Sequence, residues 1–517
     1  MNLADRLLSG RPGTRPALLT LEAEQSYAEL SSAVSAVSAF LLRSGAESGE
    51  CVGIVADNSP FWVAAWLGAI RAGCVAVPVS QGLSPADCQA MAEQTRMRFA
   101  FIEARMAAGC ARWLKQPAHV VLDEPIAAAP FAQATMSSFR DLLAFSDRIV
   151  PSRGGGEDLA AILFSSGSTG KPRGVMLSHR NFIANTESIL QALGLTAADR
   201  AMAVLPFHYS FGASVLHTHL AVGGTLVIDK RFLFPDKVLQ RMVETRCTGF
   251  AGVPSHYQIL LRKSRFKQME LPDLRWMQQA GGKLQEPFVR ELREAKPGVR
   301  LYVMYGATEA TARLSVLPPS EVDRRPGSIG KGIPGVTLRV LNERGVPVAP
   351  GEVGEIVAEG DNIARGYFQD PAETAATFVD GRLRTGDLAT VDADGYLTVL
   401  GRAKSFLKCG GTRTSAERFE EALLAFPDIV EAAVIGVPDE VMGEAAAAFV
   451  VPRDPRDPTV AERLGAFAAA SLPLALRPKL VEVVPDLPKS AAGKVLRIRL
   501  HERLRARQDA AECTARS

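Results

Sequence analysis

The sequence has little of what marks a zinc-binding, disulfide-stabilised or nucleic-acid-binding protein. Its seven cysteines are widely scattered and form no CxxC pair, which argues against a zinc site and against a disulfide framework. The formal net charge of +3 is too small for a protein that binds nucleic acid through charge alone. Neither an internal repeat nor a long low-complexity tract is present. The remaining composition, 47% hydrophobic and 22% charged, is that of a globular protein.

Long uninterrupted hydrophobic runs are also missing. The most apolar stretch, Phe61 to Val79, is broken by Arg71 and Gly73, and it predicts a buried helix followed by a strand rather than a membrane span. The opening residues MNLADRLLSGRPG lack the apolar region of a secretory signal. We therefore expect a cytoplasmic protein without a membrane span, whose cysteines are small core residues in a reducing compartment.

The middle of the chain alternates short apolar runs with amphipathic segments. Leu159–Phe164 has the continuous apolar character of a buried strand. After it, Ser178 is placed to cap a helix that ends at Gly194 and carries apolar residues at helical spacing. Repetition of this pattern predicts an α/β fold with a mainly parallel sheet and helices on both faces. Ligands in such folds gather at the carboxyl ends of the strands.

The sequence pattern changes near Pro326, where short strand-like runs separated by turn residues begin. This predicts a small β-rich subdomain over about 326–400 within a large N-terminal domain, residues 1–402. The segment 401–411, GRAKSFLKCGG, has the character of a junction. Residues 403–517 are then expected to form a small, mobile α/β domain, within the usual size range of one domain.

Three familiar motifs are present only in imperfect form. The literal GxGxxG at 330–335 is followed by a strand pattern, whereas a dinucleotide-binding fingerprint needs a helix there. The loop 167–172 fails as a P-loop, because only two residues separate its glycines and proline follows its lysine. Three histidines lack a carboxylate at a spacing typical of a metal site, so packing or hydrogen bonding explains them better: His208, His217 and His219.

The loop that follows the predicted strand Leu159–Phe164 is rich in groups that bind phosphate oxygens. Backbone N–H groups, hydroxyls and one cation lie close together in Ser165, Ser166, Gly167, Ser168, Thr169, Gly170 and Lys171. Surface loops share this composition, so the loop alone decides nothing. Four further segments follow it in order: YGATEA at 305–310, RTGDL at 384–388, GRAKSFLKCGG at 401–411, and PKSAAGKVLR at 488–497.

This ordered set resembles the adenylate-forming superfamily of acyl-CoA synthetases, peptide-synthetase adenylation domains and firefly luciferase. The resemblance extends from Ser26 to about Arg499, nearly the whole chain. It implies that ATP activates a carboxylic acid as an acyl-adenylate with release of pyrophosphate. A thiol, that of coenzyme A or of a carrier-protein phosphopantetheine, then takes the acyl group. Positioned N–H groups, hydroxyls, a lysine and Mg²⁺ would stabilise the charge that develops.

The resemblance also implies roles for individual residues in the nucleotide site. The loop from Ser165 to Lys171 would close over the β- and γ-phosphates. In YGATEA, Thr308 would bond the α-phosphate and Glu309 would hold Mg²⁺, a hard cation that prefers carboxylate oxygen. The remaining nucleotide contacts would come from Tyr305 and Gly306 near the adenine, Asp387 on the ribose hydroxyls, Arg402 beside the ribose, and Gly281 and Gly282 where the backbone passes the adenine.

Other residues would serve the acid and the domain movement. Lys494 would reach the carboxylate and the α-phosphate as the adenylate forms. Lys404 and Ser405 would form the hinge about which the C-terminal domain rotates between half-reactions. His208 would gate the acyl pocket, which the resemblance places at His208, Phe211, Gly212 and Gly282.

The chain departs from the family pattern at three places. Ser405 stands where the hinge commonly has aspartate, and Ala416-Glu417-Arg418 replaces the usual Pro-x-Glu beyond it. Amino-acid-activating members pair the substrate ammonium with an aspartate in FDxS, where this chain has Gly212. Because an unpaired buried ammonium is costly, we expect an acid without an α-amine.

The sequence therefore predicts an ATP- and Mg²⁺-dependent carboxylate–thiol ligase, with coenzyme A favoured as acceptor. Loading of an acyl carrier protein is the alternative within this class. A non-catalytic nucleotide- or acyl-binding relative is the alternative from another class, against which the retention of Lys171, Glu309, Asp387 and Lys494 argues. The identity of the acid and the oligomeric state stay open.

Overall fold

The computed structural model describes residues 1–127, 130–144, 151–166, 172–402, 406–409, 412–439, 443–472, 477–489 and 495–515. The elements of the first third build one sheet with the strand order β7-β6-β5-β3-β4-β8-β9 and begin a second. They are α1 (Leu3–Leu8), β1 (Pro16–Leu19), β2 (Glu24–Ser26), α2 (Tyr27–Arg43), β3 (Cys51–Val55), α3 (Pro60–Arg71), β4 (Val75–Pro78), α4 (Pro85–Thr95), β5 (Phe99–Ile102), α5 (Ala107–Cys110), β6 (His119–Leu122), β7 (Thr135–Ser138), α6 (Phe139–Ala144), β8 (Leu159–Ser166) and β9 (Pro172–Ser178).

The second sheet begins with strands that alternate with helices. Its parallel half has the order β14-β13-β12-β10-β11-β1, and each connecting helix returns the chain to the same edge. The elements are α7 (His179–Leu193), β10 (Arg200–Ala203), α8 (Ser210–Val222), β11 (Thr225–Ile228), α9 (Pro235–Glu244), β12 (Gly249–Gly252), α10 (Pro254–Lys263), β13 (Trp276–Gln279), α11 (Glu286–Ala295) and β14 (Arg300–Tyr305).

The β-rich segment continues this sheet instead of standing apart from it. β15 pairs antiparallel with both β14 and β16, so the order runs on as β15-β16-β21-β20-β18-β17. The elements are β15 (Ser315–Leu317), β16 (Ser328–Gly332), β17 (Val336–Leu341), β18 (Val353–Gly360), α12 (Pro371–Thr377), β19 (Phe378–Val379), β20 (Arg382–Val391) and β21 (Leu397–Arg402). The strand pattern predicted from about Pro326 is thus present, and β15 joins these strands by hydrogen bonds to β14 of the parallel half.

The remaining elements form a smaller α/β unit after Arg402. Its strands have the order β23-β22-β25-β24, with β26 on β25. They are β22 (Phe406–Cys409), β23 (Thr412–Ser415), α13 (Ala416–Leu424), β24 (Ile429–Asp439), β25 (Gly443–Pro452), α14 (Val460–Ser471), β26 (Leu480–Val483) and α15 (Arg497–Ala515). No helix in the described ranges has the length and apolarity needed to cross a bilayer.

The helix predicted after Ser178 illustrates how sequence sets local structure. The Ser178 side chain accepts from the Asn181 N–H and closes the first turn of α7, and Gly194 ends the helix in the left-handed region. Phe182, Ile189 and Leu193 lie on its buried face. This face packs into a core between the two sheets, where Trp66 Nε1 of α3 donates to His217 Nε2 of α8 over 3.0 Å.

Burial of neutral histidines makes the fold sensitive to acid. It lowers the pKa to about 3 for His217 and to about 4 for His179, His208 and His256. As pH falls from 7 to 5 the unfolded chain takes up protons that the folded chain does not. Each such histidine therefore lowers the free energy of unfolding by about 2 kcal/mol over that range. Glu420, whose pKa burial raises, acts in the opposite direction as a single group.

We expect the urea midpoint of unfolding to fall steeply between pH 6.5 and 5. His217→Gln keeps an acceptor for the Trp66 N–H but does not titrate, so its midpoint should fall less over the same range. An unchanged midpoint in the parent protein between pH 7 and 5 would contradict the buried neutral histidines.

Candidate active site

A cleft of about 1450 Å³ opens at the carboxyl ends of the parallel strands of the second sheet. Segments that follow β12, β13 and β14 form one wall, and the first half of β20 and the end of β21 form another. The third wall comes from the small α/β unit, which contributes α13 residues and Arg497. The predicted residues that line it are Ser165, Gly281, Gly282, Tyr305, Gly306, Thr308, Glu309, Asp387 and Arg402. Residues separated by more than 200 positions in the sequence thus meet in one place.

Asp387 is fixed by two partners in the middle of β20. Tyr305 Oη donates to Asp387 Oδ2 over 2.6 Å, and Arg402 Nε lies 3.3 Å from Asp387 Oδ1. Arg402 faces Asp387 directly in the β20–β21 register. Burial, and then the adjacent Asp387 charge, raise the pKa of Tyr305 far above its usual value, so the phenol stays a donor. The carboxylate keeps free lone pairs for a diol.

Glu309 is held by a residue that the sequence did not reveal. Tyr367 Oη donates to Glu309 Oε1 over 2.9 Å, and the pKa of this buried phenol is raised first by burial and then by Glu309. The Arg173 guanidinium lies 5.7 Å from the centre of the Tyr367 ring, and it pairs with Glu373 over 2.6 Å. Glu309 Oε2 has no hydrogen-bond partner within the described ranges, which leaves one carboxylate oxygen for a cation.

This donor set suits Mg²⁺. Magnesium in phosphate-transfer sites is bound through one or two carboxylates together with phosphate oxygens and water. Glu309 offers one such oxygen beside Thr308, the residue predicted to bond a phosphate. Among the described residues, no group of three or more His, Cys, Asp or Glu side chains lies together as an all-protein metal cage.

Removal of the Tyr367 hydroxyl should weaken a cation at Glu309. Partners that orient a metal ligand typically account for about 10–100-fold in metal affinity or activity. We therefore expect Tyr367→Phe to raise the Mg²⁺ concentration for half-maximal adenylation by about 10-fold or more. Tyr396→Phe, in the turn between β20 and β21 and outside the cleft, is the control. A loss of activity with an unchanged Mg²⁺ dependence would contradict this role.

The loop after Glu309 is strained and braced. Thr311 has φ +66°, which is unfavourable for a β-branched residue. Its hydroxyl donates to the Asn362 carbonyl over 2.7 Å, and Asn362 Nδ2 donates to the carbonyls of Ala310 and Arg313. Gly306 permits this closure, because a Cβ there would meet the Ala312 carbonyl oxygen at 1.8 Å.

Helix α8, which carries residues predicted to form the acyl pocket, lies next to Thr308, the residue predicted to bond the α-phosphate. Ser210 Oγ, in the first turn of α8, is 3.4 Å from Thr308 Oγ1. Phe211 is half-buried next to it. His208 lies just before the helix, with a ring that is neutral at pH 7 because burial lowers its pKa to about 4, and its buried Nε2 has no partner in the described ranges.

The glycines of this region differ in what they do. Gly281 has φ +86° and would place a Cβ 2.9 Å from Val253 Cγ1, and Gly282 would place one 3.3 Å from Pro254 Cγ. Both line the cleft and permit close approach of a ligand. At Gly212 a Cβ would lie 2.1 Å from the Pro206 carbonyl oxygen. That position therefore has a packing reason for glycine, because α8 packs on the Pro206 backbone, and it offers no carboxylate to a substrate amine.

The other two histidines serve packing. His217 accepts from Trp66, and His219 Nδ1 lies 2.8 Å from the Val215 carbonyl oxygen while its ring tilts over Trp276. They face opposite sides of α8, one toward α3 and the other toward β13.

Several predicted site residues lie outside the described residues. These are Gly167, Ser168, Thr169, Gly170 and Lys171 of the phosphate-binding loop, Lys404 and Ser405 of the hinge, and Lys494. The described neighbours of two of these segments reach the cleft. Ser166 ends β8 beside Ser165, and Lys489 and Val495, which flank residues 490–494, pair as a bridge and line the cleft.

The small α/β unit contacts the cleft through acidic residues of α13. Lys283 Nζ pairs with Glu421 Oε2 over 2.8 Å across the two parts of the chain. Arg497 Nη2 lies 2.8 Å from Glu420 Oε1 and 3.5 Å from Glu417 Oε1. A Cβ at Gly401 would meet Glu417 Oε2 at 2.8 Å. The Ala416-Glu417-Arg418 segment that departs from the family pattern therefore lies directly against the end of β21.

Comparison with known families gives matches over most of the chain. A family model described as AMP-binding enzyme matches residues 6–368, and one described as AMP-binding enzyme C-terminal domain matches residues 418–494. Feruloyl-CoA synthase from Amycolatopsis sp is 32% identical over 473 residues, which cover 91% of this chain and 92% of that protein. Indoleacetate–CoA ligase from Aromatoleum aromaticum is 30% identical over 498 residues, which cover 95% of each.

A solved structure shares the fold across its whole length. The anthranilate CoA ligase AuaEII in complex with anthranoyl-AMP superposes with a TM-score of 0.88 at 27% identity, over 97% of both chains. The predicted α/β architecture, with a large domain and a smaller C-terminal one, is confirmed.

Proposed function

We propose roles for the site residues and a class of acid substrate for this chain. The chain belongs to the AMP-binding enzyme family and is an AMP-forming carboxylate–CoA ligase. The observation that supports the residue roles best is the pair of tyrosine-held carboxylates. Asp387 and Glu309 lie in one cleft with Thr308, each fixed by a phenolic hydrogen bond. One carboxylate suits a ribose diol and the other suits a cation on phosphate oxygens.

The nucleotide is bound first by groups that are already in place. Asp387 accepts the two ribose hydroxyls, while Tyr305 and Arg402 hold its carboxylate in position. The backbone at Gly281 and Gly282 lies against the adenine. Thr308 donates to the α-phosphate, and the Ser165–Lys171 loop closes over the β- and γ-phosphates. Mg²⁺ at Glu309 neutralises phosphate charge when bound.

The acid then reacts in two steps. A carboxylate oxygen attacks the α-phosphorus, the bond to the bridging oxygen breaks, and pyrophosphate leaves with its electron pair. Lys494 lies against the crowded oxygens in this step and stabilises the developing charge. In the second step the coenzyme A sulfur attacks the acyl carbon, and AMP leaves with the carboxylate oxygen that formed the mixed anhydride.

The acid lacks an α-ammonium group. Gly212 supplies no carboxylate for an ammonium. Arg313, which contacts Phe211 and Ser214 of α8, is a cation that would repel one. Indoleacetate, named in one relative, has no α-amine either.

ATP–pyrophosphate exchange with pooled acids tests this proposal. We expect Mg²⁺-dependent exchange with a pool of aryl or aliphatic acids and none with α-amino acids. Addition of coenzyme A should then yield a thioester and one AMP per thioester. Exchange without thioester from free coenzyme A, restored by a phosphopantetheinylated carrier, would transfer the acceptor role to a carrier protein. No exchange from folded, ATP-binding protein would contradict the proposal.

A further inference from the structure

Arg313 is a fully buried cation that has no anionic partner among the described residues. Its exposed fraction is 1%, and its guanidinium lies 4.6 Å from the centre of the Phe211 ring. Its side chain makes one long hydrogen bond in the described ranges, from Nη2 to Ser214 Oγ over 3.4 Å. The buried Nε donates to nothing there. A guanidinium has five N–H donors, so most of its capacity is unused.

This arrangement is costly for the folded chain unless a ligand completes it. Burial disfavours the charged form and lowers the pKa of Arg313 to about 9, which still leaves it protonated at pH 7. Half-buried Arg262 gives a contrast, since it also stacks on a phenylalanine, Phe288, but pairs with Glu291.

The backbone holds Arg313 firmly at this place. Asn185 Oδ1 accepts from the Arg313 N–H over 3.2 Å, and Asn185 Nδ2 donates to the Arg313 carbonyl over 2.8 Å. Asn362 Nδ2 donates to the same carbonyl over 3.0 Å. The strained Thr311 lies two residues earlier. The guanidinium is therefore positioned by two buried asparagines, as a preorganised binding group requires.

Arg313 lies beside the first turns of α8, which contact the cleft residue Thr308. Thr308 is 3.4 Å from Ser210, and the next residue, Phe211, carries the guanidinium on its ring. An acid whose carboxylate lies at Thr308 would extend its other end along the first turn of α8. The positive N-terminal end of this helix has no side-chain cap from Tyr209 and also favours an anion there.

We propose that the acid carries a second anionic group of the carboxylate class, which pairs with Arg313 while the first carboxylate is adenylated. This inference rests on the proposed function and narrows its substrate class. A neutral tail would leave the guanidinium buried and unpaired, so a diacid should be favoured strongly over its monoester.

Matched acid pairs test the inference without any mutation. The pairs are glutarate with monomethyl glutarate and isophthalate with monomethyl isophthalate. A third pair is built on the carbon skeleton of whichever acid the pooled exchange assay finds active. In the parent protein we expect kcat/KM for the diacid to exceed that for the monoester by about 100-fold, well above the twofold statistical factor.

A variant then assigns the preference to the residue. Arg313→Met should lower kcat/KM for the diacid by about 100-fold and change the monoester by less than about threefold. If Arg313→Met folds poorly, Arg313→Lys serves in its place. It keeps the positive charge and should retain part of the preference for the diacid. Arg262→Met is the control, a half-buried arginine over a phenylalanine outside the cleft, and it should leave the preference intact.

The outcomes separate the inference from the proposed function. No exchange with any acid contradicts the proposed function itself. Exchange in which the monoester equals or exceeds the diacid overturns the inference alone. An equal loss for both acids in Arg313→Met also overturns it, because Arg313 would then act on the shared reacting end.

Discussion

Replacement of Lys494 by alanine is expected to abolish acyl-adenylate formation while transfer of the acyl group to coenzyme A survives. Removal of one group that stabilises developing charge typically lowers the rate by about 10²–10³-fold. Lys494 belongs to the GK of the last family segment, in which Lys489 and Val495 line the cleft. The role proposed for it ends when pyrophosphate leaves, so we expect the thiol step not to need it.

Single-turnover assays separate the two half-reactions. ATP–pyrophosphate exchange reports the first, and thioester formation from chemically prepared acyl-adenylate reports the second. Lys479→Ala, an exposed lysine of the same unit paired with Asp439, should leave both unchanged. If Lys494→Ala slowed both half-reactions equally in folded protein, the assignment of Lys494 to adenylation would be wrong.

Replacement of Glu309 by glutamine is expected to remove the carboxylate that serves the cation while keeping its size and the Tyr367 contact. Because the phosphate charge would lose part of its compensation, we expect adenylation to fall by about 10²–10³-fold. Excess Mg²⁺ should restore part of the rate, since affinity for the cation is what the substitution lowers. Binding of AMP, for which we propose Asp387, should change little.

Isothermal titration with AMP and exchange assays across Mg²⁺ concentrations check this result together. Glu187→Gln, on the exposed face of α7, is the matched control. Full activity of Glu309→Gln at ordinary Mg²⁺ concentrations would contradict the cation role, and loss of AMP binding would point instead to a damaged loop.

Local elements could be predicted from the sequence because their causes are local. The cap at Ser178, the left-handed Gly194 and the apolar spacing between them are each encoded within 17 residues, and the helix follows. The alternation of strands and helices likewise predicted the parallel half of the second sheet. The β-rich segment was predicted as strands, but its pairing with β14 depends on β15, a three-residue strand too short to give a pattern.

Long-range side-chain contacts could not be predicted in this way. Tyr367 reaches Glu309 across 58 residues, and its segment, ARGYFQD, has no feature that distinguishes it from a surface turn. The burial of Arg313 could not be predicted either, since a single arginine in a loop is typically a solvated charge. A motif predicts which residues bind a ligand, but the groups that orient them are determined by the tertiary fold.

Gly212 gives a more specific lesson. The sequence shows that the aspartate of amino-acid-activating members is missing at this position, and the structure adds a packing reason for glycine. The expectation of an acid without an α-amine keeps its basis in the sequence, and the charge of Arg313 beside Phe211 supports it. The packing reason could not be predicted, because the approach of α8 to the Pro206 carbonyl depends on the tertiary fold.

The most direct test of the account is the fate of a carboxylate oxygen. The acid that supports exchange is labelled with ¹⁸O in its reacting carboxylate and converted with ATP and coenzyme A in unlabelled water. The account predicts AMP that carries one ¹⁸O atom and pyrophosphate that carries none, because the carboxylate attacks the α-phosphorus. Label in pyrophosphate or inorganic phosphate, with unlabelled AMP, would contradict an acyl-adenylate at this site.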